Sequence, residues 1–167
     1  MMPPSEQPQA PAPLSYTSSI SIIAAPARVL WAFFDAAALA DWWQTARSVT
    51  NPRVMGAYSV EWDPTDFRDD MLGRLGGTFH GTVMDYKPER EFFVADAFWL
   101  PPDGNPIGPM GLEVTCERQR AENPQITLVK VTQRGAEDSG RWKRYYELIA
   151  PGWERALQSL KRYLERI

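Results

Sequence analysis

RWKRYYELIAPGWERALQSLKRYLERI, Arg141 to Ile167, places apolar residues at Trp142, Tyr145, Tyr146, Ile149, Trp153, Leu157, Leu160, Leu164 and Ile167. The steps are mostly of three or four, so these side chains fall on one stripe of a long amphipathic helix. Pro151 is expected to interrupt or kink it, because a proline in a helix interior removes a backbone hydrogen bond at a cost of about 3 kcal/mol. Gly152 beside it leaves room for another backbone or a ligand to come close. The segment also holds seven Lys/Arg against three acids. That basic excess is read first as a solvated polar face and second as a surface for an acidic partner.

What precedes this helix must supply its partner layer. YTSSISIIA, from Tyr16, is short and rich in β-branched residues, which predicts a strand. Pro26 suits a first helical turn, and Val29, Leu30, Phe33 and Phe34 recur at helical spacing. A second short helix, AAALADWW, follows Asp35, a plausible cap. Strands are then predicted at Arg47–Thr50, Ala57–Trp62, Gly76–Tyr86, Glu91–Leu100, Met110–Arg120 and Gln125–Arg134. Lys87-Pro88-Glu89-Arg90, Pro101-Pro102-Asp103-Gly104 and Glu122-Asn123-Pro124 carry turn chemistry between them. Short joints between successive strands imply an antiparallel meander. Residues 1–14, with five prolines before Leu14 and no periodicity, are expected to form a flexible tail, leaving 15–167 as a single domain.

Composition narrows the chemistry. The chain of 167 residues has a formal charge of -3, which disfavours broad attraction to nucleic acid. One cysteine, Cys116, excludes an internal disulfide or a Cys-cluster metal site, and one histidine, His80, excludes multi-His sites. No metal and no cofactor is therefore expected. No stretch approaches the ~20 apolar residues of a membrane span, and Met1–Pro13 lacks the apolar core of a secretory signal. The expected setting is cytoplasmic. Aromatics are abundant, with seven Trp, seven Phe and six Tyr making 12% of the chain. A wide sheet covered by a single helix stripe must curl to shield its inner face. Aromatics propping such a sheet away from the helix leave a ligand pocket or pack solid, and pattern alone leaves both readings open.

Three segments carry a resemblance. IIAAPARVLWAFFDAAALADWWQ resembles the opening of the SRPBCC, or START-like, superfamily, and GGTFHGTVMDYKPERE resembles its Gly-x-Val strand and Pro-containing hairpin. APGWERALQSLKRYLE resembles the Gly-Trp helix of the AHSA-like branch, named for homologues of the heat-shock chaperone ATPase activator. The correspondence runs from Ser18 to Glu165. It implies an α+β helix-grip fold, in which a curved antiparallel sheet of six to seven strands wraps a long C-terminal helix, with two short helices after the first strand. It also implies a largely apolar cavity between sheet and helix, which in most members binds a small hydrophobic molecule. Some members are cyclases or dehydratases and a few assist chaperones, which leaves room for a chaperone partner or a homodimer. Two stretches depart from a minimal pattern, Trp62–Leu75 and Pro101–Gly111; loops of this length often act as lids.

Candidate site residues follow from both lines. Strict alternation in Glu91–Leu100 puts Phe92, Val94, Asp96, Phe98 and Leu100 on one face. Asp96 among apolar neighbours is a candidate general acid, with His80 as its acid–base partner; the plainer readings are a hydrogen-bonded or exposed pair of side chains. By resemblance, Thr127, Val129, Val131 and Gln133 face the cavity, with Gln133 orienting a ligand. Trp42, Trp43, Tyr146 and Trp153 complete the apolar set, by the helix stripe and the family pattern, although core packing explains them as readily. Asp63, Asp66, Asp69 and Asp70 lack the spacing of a calcium loop and are expected to be solvated. Cys116, on a predicted strand, is expected to be inert.

Overall fold

The computed structural model describes residues 15–135 and 139–166; the segment expected to be a flexible tail lies outside them. The chain opens with β1 (Ser15–Ile22), followed by α1 (Pro26–Ala32), in which Pro26 occupies the first turn. Asp35 caps α2 (Ala36–Trp42), its Oδ2 accepting from the Ala38 amide at 2.9 Å. That bond satisfies an amide that a helix start leaves without a partner.

The sheet follows in β2 (Arg47–Thr50), β3 (Ala57–Trp62), a two-residue pair β4 (Arg68–Asp69) and β5 (Gly73–Arg74), β6 (Gly77–Lys87), β7 (Glu91–Leu100), β8 (Ile107–Arg120) and β9 (Ile126–Arg134). Seven of these strands form one antiparallel sheet in the order β1-β9-β8-β7-β6-β3-β2. The middle is a meander of hairpins, and β1 returns to pair with β9. The predicted meander is therefore present, with its ends moved by up to three residues.

The last element is α3 (Gly140–Leu164), opened by Ser139, whose Oγ accepts from the Trp142 amide at 3.3 Å. It runs unbroken through Pro151, contrary to the expected interruption. Packing accounts for this, because the buried stripe from Trp142 to Leu164 stabilises more than one missing backbone bond costs. Pro151 itself lies on the exposed side, and Tyr16 Oη donates to the neighbouring Ala150 carbonyl at 3.0 Å, tying β1 to the helix. This is the helix-grip arrangement.

A bulge sets what the inner face displays. Phe92 and Val94 point inward, but the register shifts between Val94 and Ala97, where Asp96 takes a φ of 49°. The extra residue reverses the alternation, so that Ala97 and Trp99 are the inward side chains beyond it. Asp and Asn tolerate this left-handed backbone better than bulkier residues do. Across the pair, a side chain at Gly81 would meet Val94 Cγ1 at 2.5 Å, so the two strands close over the bulge only because that position is glycine.

Candidate functional site

The interior divides into two zones. At the end covered by α1 and α2, rings fill the space. Phe33, Phe34, Tyr58 and Phe92 meet edge-on or tilted with centroids 4.8–5.6 Å apart, and Trp42 stands against Phe33 at 5.0 Å. Tyr58 Oη donates to the Phe33 carbonyl and Trp42 Nε1 to the Ala32 carbonyl, so the polar atoms buried there are satisfied. This zone is solid core.

The opposite end is not filled. A cavity of about 350 Å³ lies between the sheet and the first half of α3. Its floor is two cross-strand pairs of inward side chains, Phe79 of β6 with Trp99 of β7 and Leu112 of β8 with Gln133 of β9. Its roof is the helix face from Tyr145 through Ile149 to Gly152 and Trp153. Trp43 and Trp62 close one side and Leu72 and Leu75, in the long loop after β3, close another. Trp43 meets Trp62 edge-on and Trp153 at a tilt, with centroids 5.1 and 5.0 Å away. The indole N–H groups of Trp62 and Trp99 are spent on the carbonyls of Trp43 and Gly76, at 2.9 and 2.8 Å, so these rings turn only carbon toward the space.

One buried polar pair breaks the apolar lining. Tyr145 Oη donates to Gln133 Oε1 at 3.3 Å and also lies 3.4 Å from Met110 Sδ. Burial pushes the Tyr145 hydroxyl far above the ordinary phenol range, helped by Tyr146 and opposed by the bond to Gln133, so it stays a neutral donor. Among the described residues nothing accepts from the Gln133 amide nitrogen. Gln133 is only 4% exposed, so this unspent donor serves the cavity.

The loop after β3 forms part of the wall, and the segment before β8 braces it from outside the lining. Asp103 accepts from Arg68 Nη2 at 2.5 Å and from the Arg74 amide at 2.8 Å, which joins the segment before β8 to the β4–β5 loop. Arg141 of α3 donates to the carbonyls of Asn105 and Pro106. Asp69 is expected to be solvated but is buried. Its Oδ1 accepts from Arg144 Nε at 2.7 Å and its Oδ2 from the Met71 and Leu72 amides, each at 3.0 Å. Burial raises its carboxyl pKa, but the Arg144 hydrogen bond, the two amides and the guanidinium charge outweigh that and hold it below the ordinary value. The carboxylate pins Leu72 over the cavity.

Of the sequence-derived candidates, the structure brings Trp43, Gln133 and Trp153 together at this cavity. The others stand elsewhere. Trp42 is core behind Trp43, stacked on it at 5.0 Å with an interplanar angle of 5°. Phe92, Val94, Val129 and Val131 point inward as expected but are fully buried in the packed zone. Phe92 and Val131 both pair with Val114, in the row beside the Leu112–Gln133 row of the cavity floor. Tyr146 is on the stripe and half-buried against the core but does not line the cavity, its hydroxyl donating to the Gly135 carbonyl at 3.2 Å, with burial pushing its pKa up to about 12. Phe98 is turned to the outer face by the bulge, where it packs over Gly108.

Asp96 and His80 are both exposed and neither lines the cavity, so they do not form an acid–base pair within it. Cys116 is buried, and loss of water around the thiol raises its pKa to about 12, which leaves it unreactive. Among the described residues, no group of three or more His, Cys, Asp or Glu is placed to hold a metal ion, and no helix is long and apolar enough to cross a membrane.

The sequence reasoning missed Trp62, Phe79, Trp99, Leu112 and Tyr145. Trp99 was hidden by the bulge, and the signal for it was an Asp in the middle of an otherwise apolar strand. Tyr145 was on the stripe all along; its hydroxyl opposite Gln133 is a tertiary contact that spacing does not reveal.

Comparison with known proteins agrees with this architecture. No curated protein matches the chain at a significant level. Protein MLL2253 from Mesorhizobium loti shares the fold with a TM-score of 0.67 at 15% identity, over 92% of this chain and 98% of that one. Protein CV1439 from Chromobacterium violaceum does so with a TM-score of 0.63 at 22% identity, over 93% and 100%. The Aha1 dimer from Colwellia psychrerythraea, solved in solution, gives a TM-score of 0.57 at 22% identity, over 91% and 96%. The AHSA-like branch of SRPBCC read from the sequence is thereby supported. Since the model of that family matches residues 24–165, nearly the whole described chain, this protein belongs to the family of Activator of Hsp90 ATPase homolog 1-like proteins.

Proposed function

We propose that the protein binds a small, mainly apolar molecule in the cavity between the sheet and α3. The observation that carries this reading is an aromatic-lined space of about 350 Å³ whose buried polar pair holds a donor with no acceptor among the described residues. Binding would be driven by apolar burial, at about 25 cal/mol per Å², with Gln133 selecting orientation. The volume is at the small end of ligand pockets, about 300–1,000 Å³, which favours a compact ring system over a long acyl chain. Trp43, Trp62, Trp99 and Trp153 surround the space and would report occupancy. Intrinsic fluorescence titrated with lipids, flavonoids and polyketide-like aromatics should show saturable quenching by compact aromatics. A flat response across that panel would remove the reading.

A second reading has its own support in the family description, which names an activator of the Hsp90 ATPase. On that reading the chain docks on a chaperone and raises its ATPase rate. Adding the purified protein to Hsp90 and measuring ATP turnover tests it, and an unchanged rate with no binding at low or high salt counts against it.

A further inference from the structure

The rim of the cavity carries a cation. Arg155 lines the cavity and is exposed, and among the described residues it makes no ion pair, side-chain hydrogen bond or ring contact. Tyr145, bonded to Gln133, lies ten residues earlier on the same helix. At 1.5 Å per residue the backbone positions of Tyr145 and Arg155 are about 15 Å apart along the helix axis. Between them the lining is apolar, chiefly Trp99, Ile149 and Trp153, with Gly152 leaving the roof open.

We infer that the ligand is an anionic aromatic amphiphile: a flat apolar body with a hydrogen-bond acceptor at its inner end and a carboxylate at its outer end. The inner group takes the N–H of Gln133, and the carboxylate meets Arg155 at the mouth. The inference rests on the proposed binding function and adds polarity and direction to it. A guanidinium matches a carboxylate with two parallel N–H donors, which suits Arg155 to this end of the molecule. The opposite orientation would place the anion on Gln133 deep among indole rings, where a charge with only neutral hydrogen bonds is strongly disfavoured. Although the whole chain is acidic, the stretch from Arg141 to Ile167 has a net positive charge, so an anion approaches the mouth beside α3 without a general repulsion.

Isothermal titration with four probes tests this: 6-hydroxy-2-naphthoic acid, its methyl ester, 2-naphthoic acid and uncharged 2-naphthol. The hydroxy acid should bind about fivefold more tightly than its ester, the size expected of a partly exposed ion pair, and the ratio should shrink as salt is added. Arg155→Gln should bring the ratio to about one and Arg155→Lys should keep part of it. Gln133→Leu should abolish the advantage of the hydroxy acid over 2-naphthoic acid while leaving the acid–ester ratio in place. Equal binding of acid and ester to the wild type, or an unchanged ratio in Arg155→Gln, overturns the inference while the cavity reading stands. Binding of none of the four probes, 2-naphthol included, overturns both.

Discussion

Gly152 is the residue at which cavity and core make opposite demands. A Cβ added there meets nothing within 4 Å, and it sits in the roof of the cavity inside a helix. Gly152→Ala should therefore raise stability by about 0.5–1 kcal/mol, visible as a higher Tm, because glycine is a poor helix interior residue. Gly152→Leu should also fold, and by filling the void should abolish quenching by an aromatic probe. Phe92 makes the converse case. It is fully buried against Phe33, Phe34 and Tyr58, so Phe92→Ala should cost about 3–5 kcal/mol in denaturant unfolding. The folded fraction of that variant should bind a probe with unchanged affinity, because Phe92 does not line the space. The two residues also mark how much of the site was legible in the sequence. Alternation groups Gln133 with Thr127, Val129 and Val131 on one face of β9, and the family resemblance marks that face as the inward one, so Gln133 was found. Alternation failed on β7, because a single residue at positive φ exchanged the two faces beyond it, bringing Trp99 in and turning Phe98 out.

Among elements, the two long loops matter most to the site, and their lengths alone gave the reason to suspect them. What length could not give is the stapling. Asp103 joins one loop to the other, and Asp69 joins the β4–β5 loop to Arg144 on α3. These are contacts between distant side chains that no local pattern encodes. Because Asp69 has a lower pKa folded than unfolded, its contribution to stability is full above the ordinary carboxylate value of 3.8 and is lost as pH falls below it. Hydrogen exchange of residues 63–76 should therefore be slow and insensitive to protonation of this group near neutrality. The loop should loosen before the sheet when the protein is acidified. Asp69→Ala should reproduce that loosening at pH 7, with a loss of about 1–3 kcal/mol from its unmade hydrogen bonds. Exchange in the variant as slow as in the wild type would show that the loop is held by its apolar contacts alone.

At the scale of the whole molecule, a seven-stranded sheet and one long helix were legible because their periodicities are strong and the joints carry turn residues. That the enclosed volume is only partly filled was not legible, since the same aromatics serve packing and lining equally well. The structure divides them. Rings from the α1–α2 junction, β3 and β7 close one end of the grip, while at the other Trp43, Trp62 and Trp153, in contact with one another through Trp43, line open space together with Trp99. That division is the physical basis of the proposed function, and a crystal structure after soaking in 2-naphthol tests it most directly. The account predicts an ordered ring between Trp99 and Trp153 with its hydroxyl against Gln133. Crystals in which the probe is absent, or lies only on the surface while Tyr145, Leu72 and Trp153 close over the volume, would contradict it.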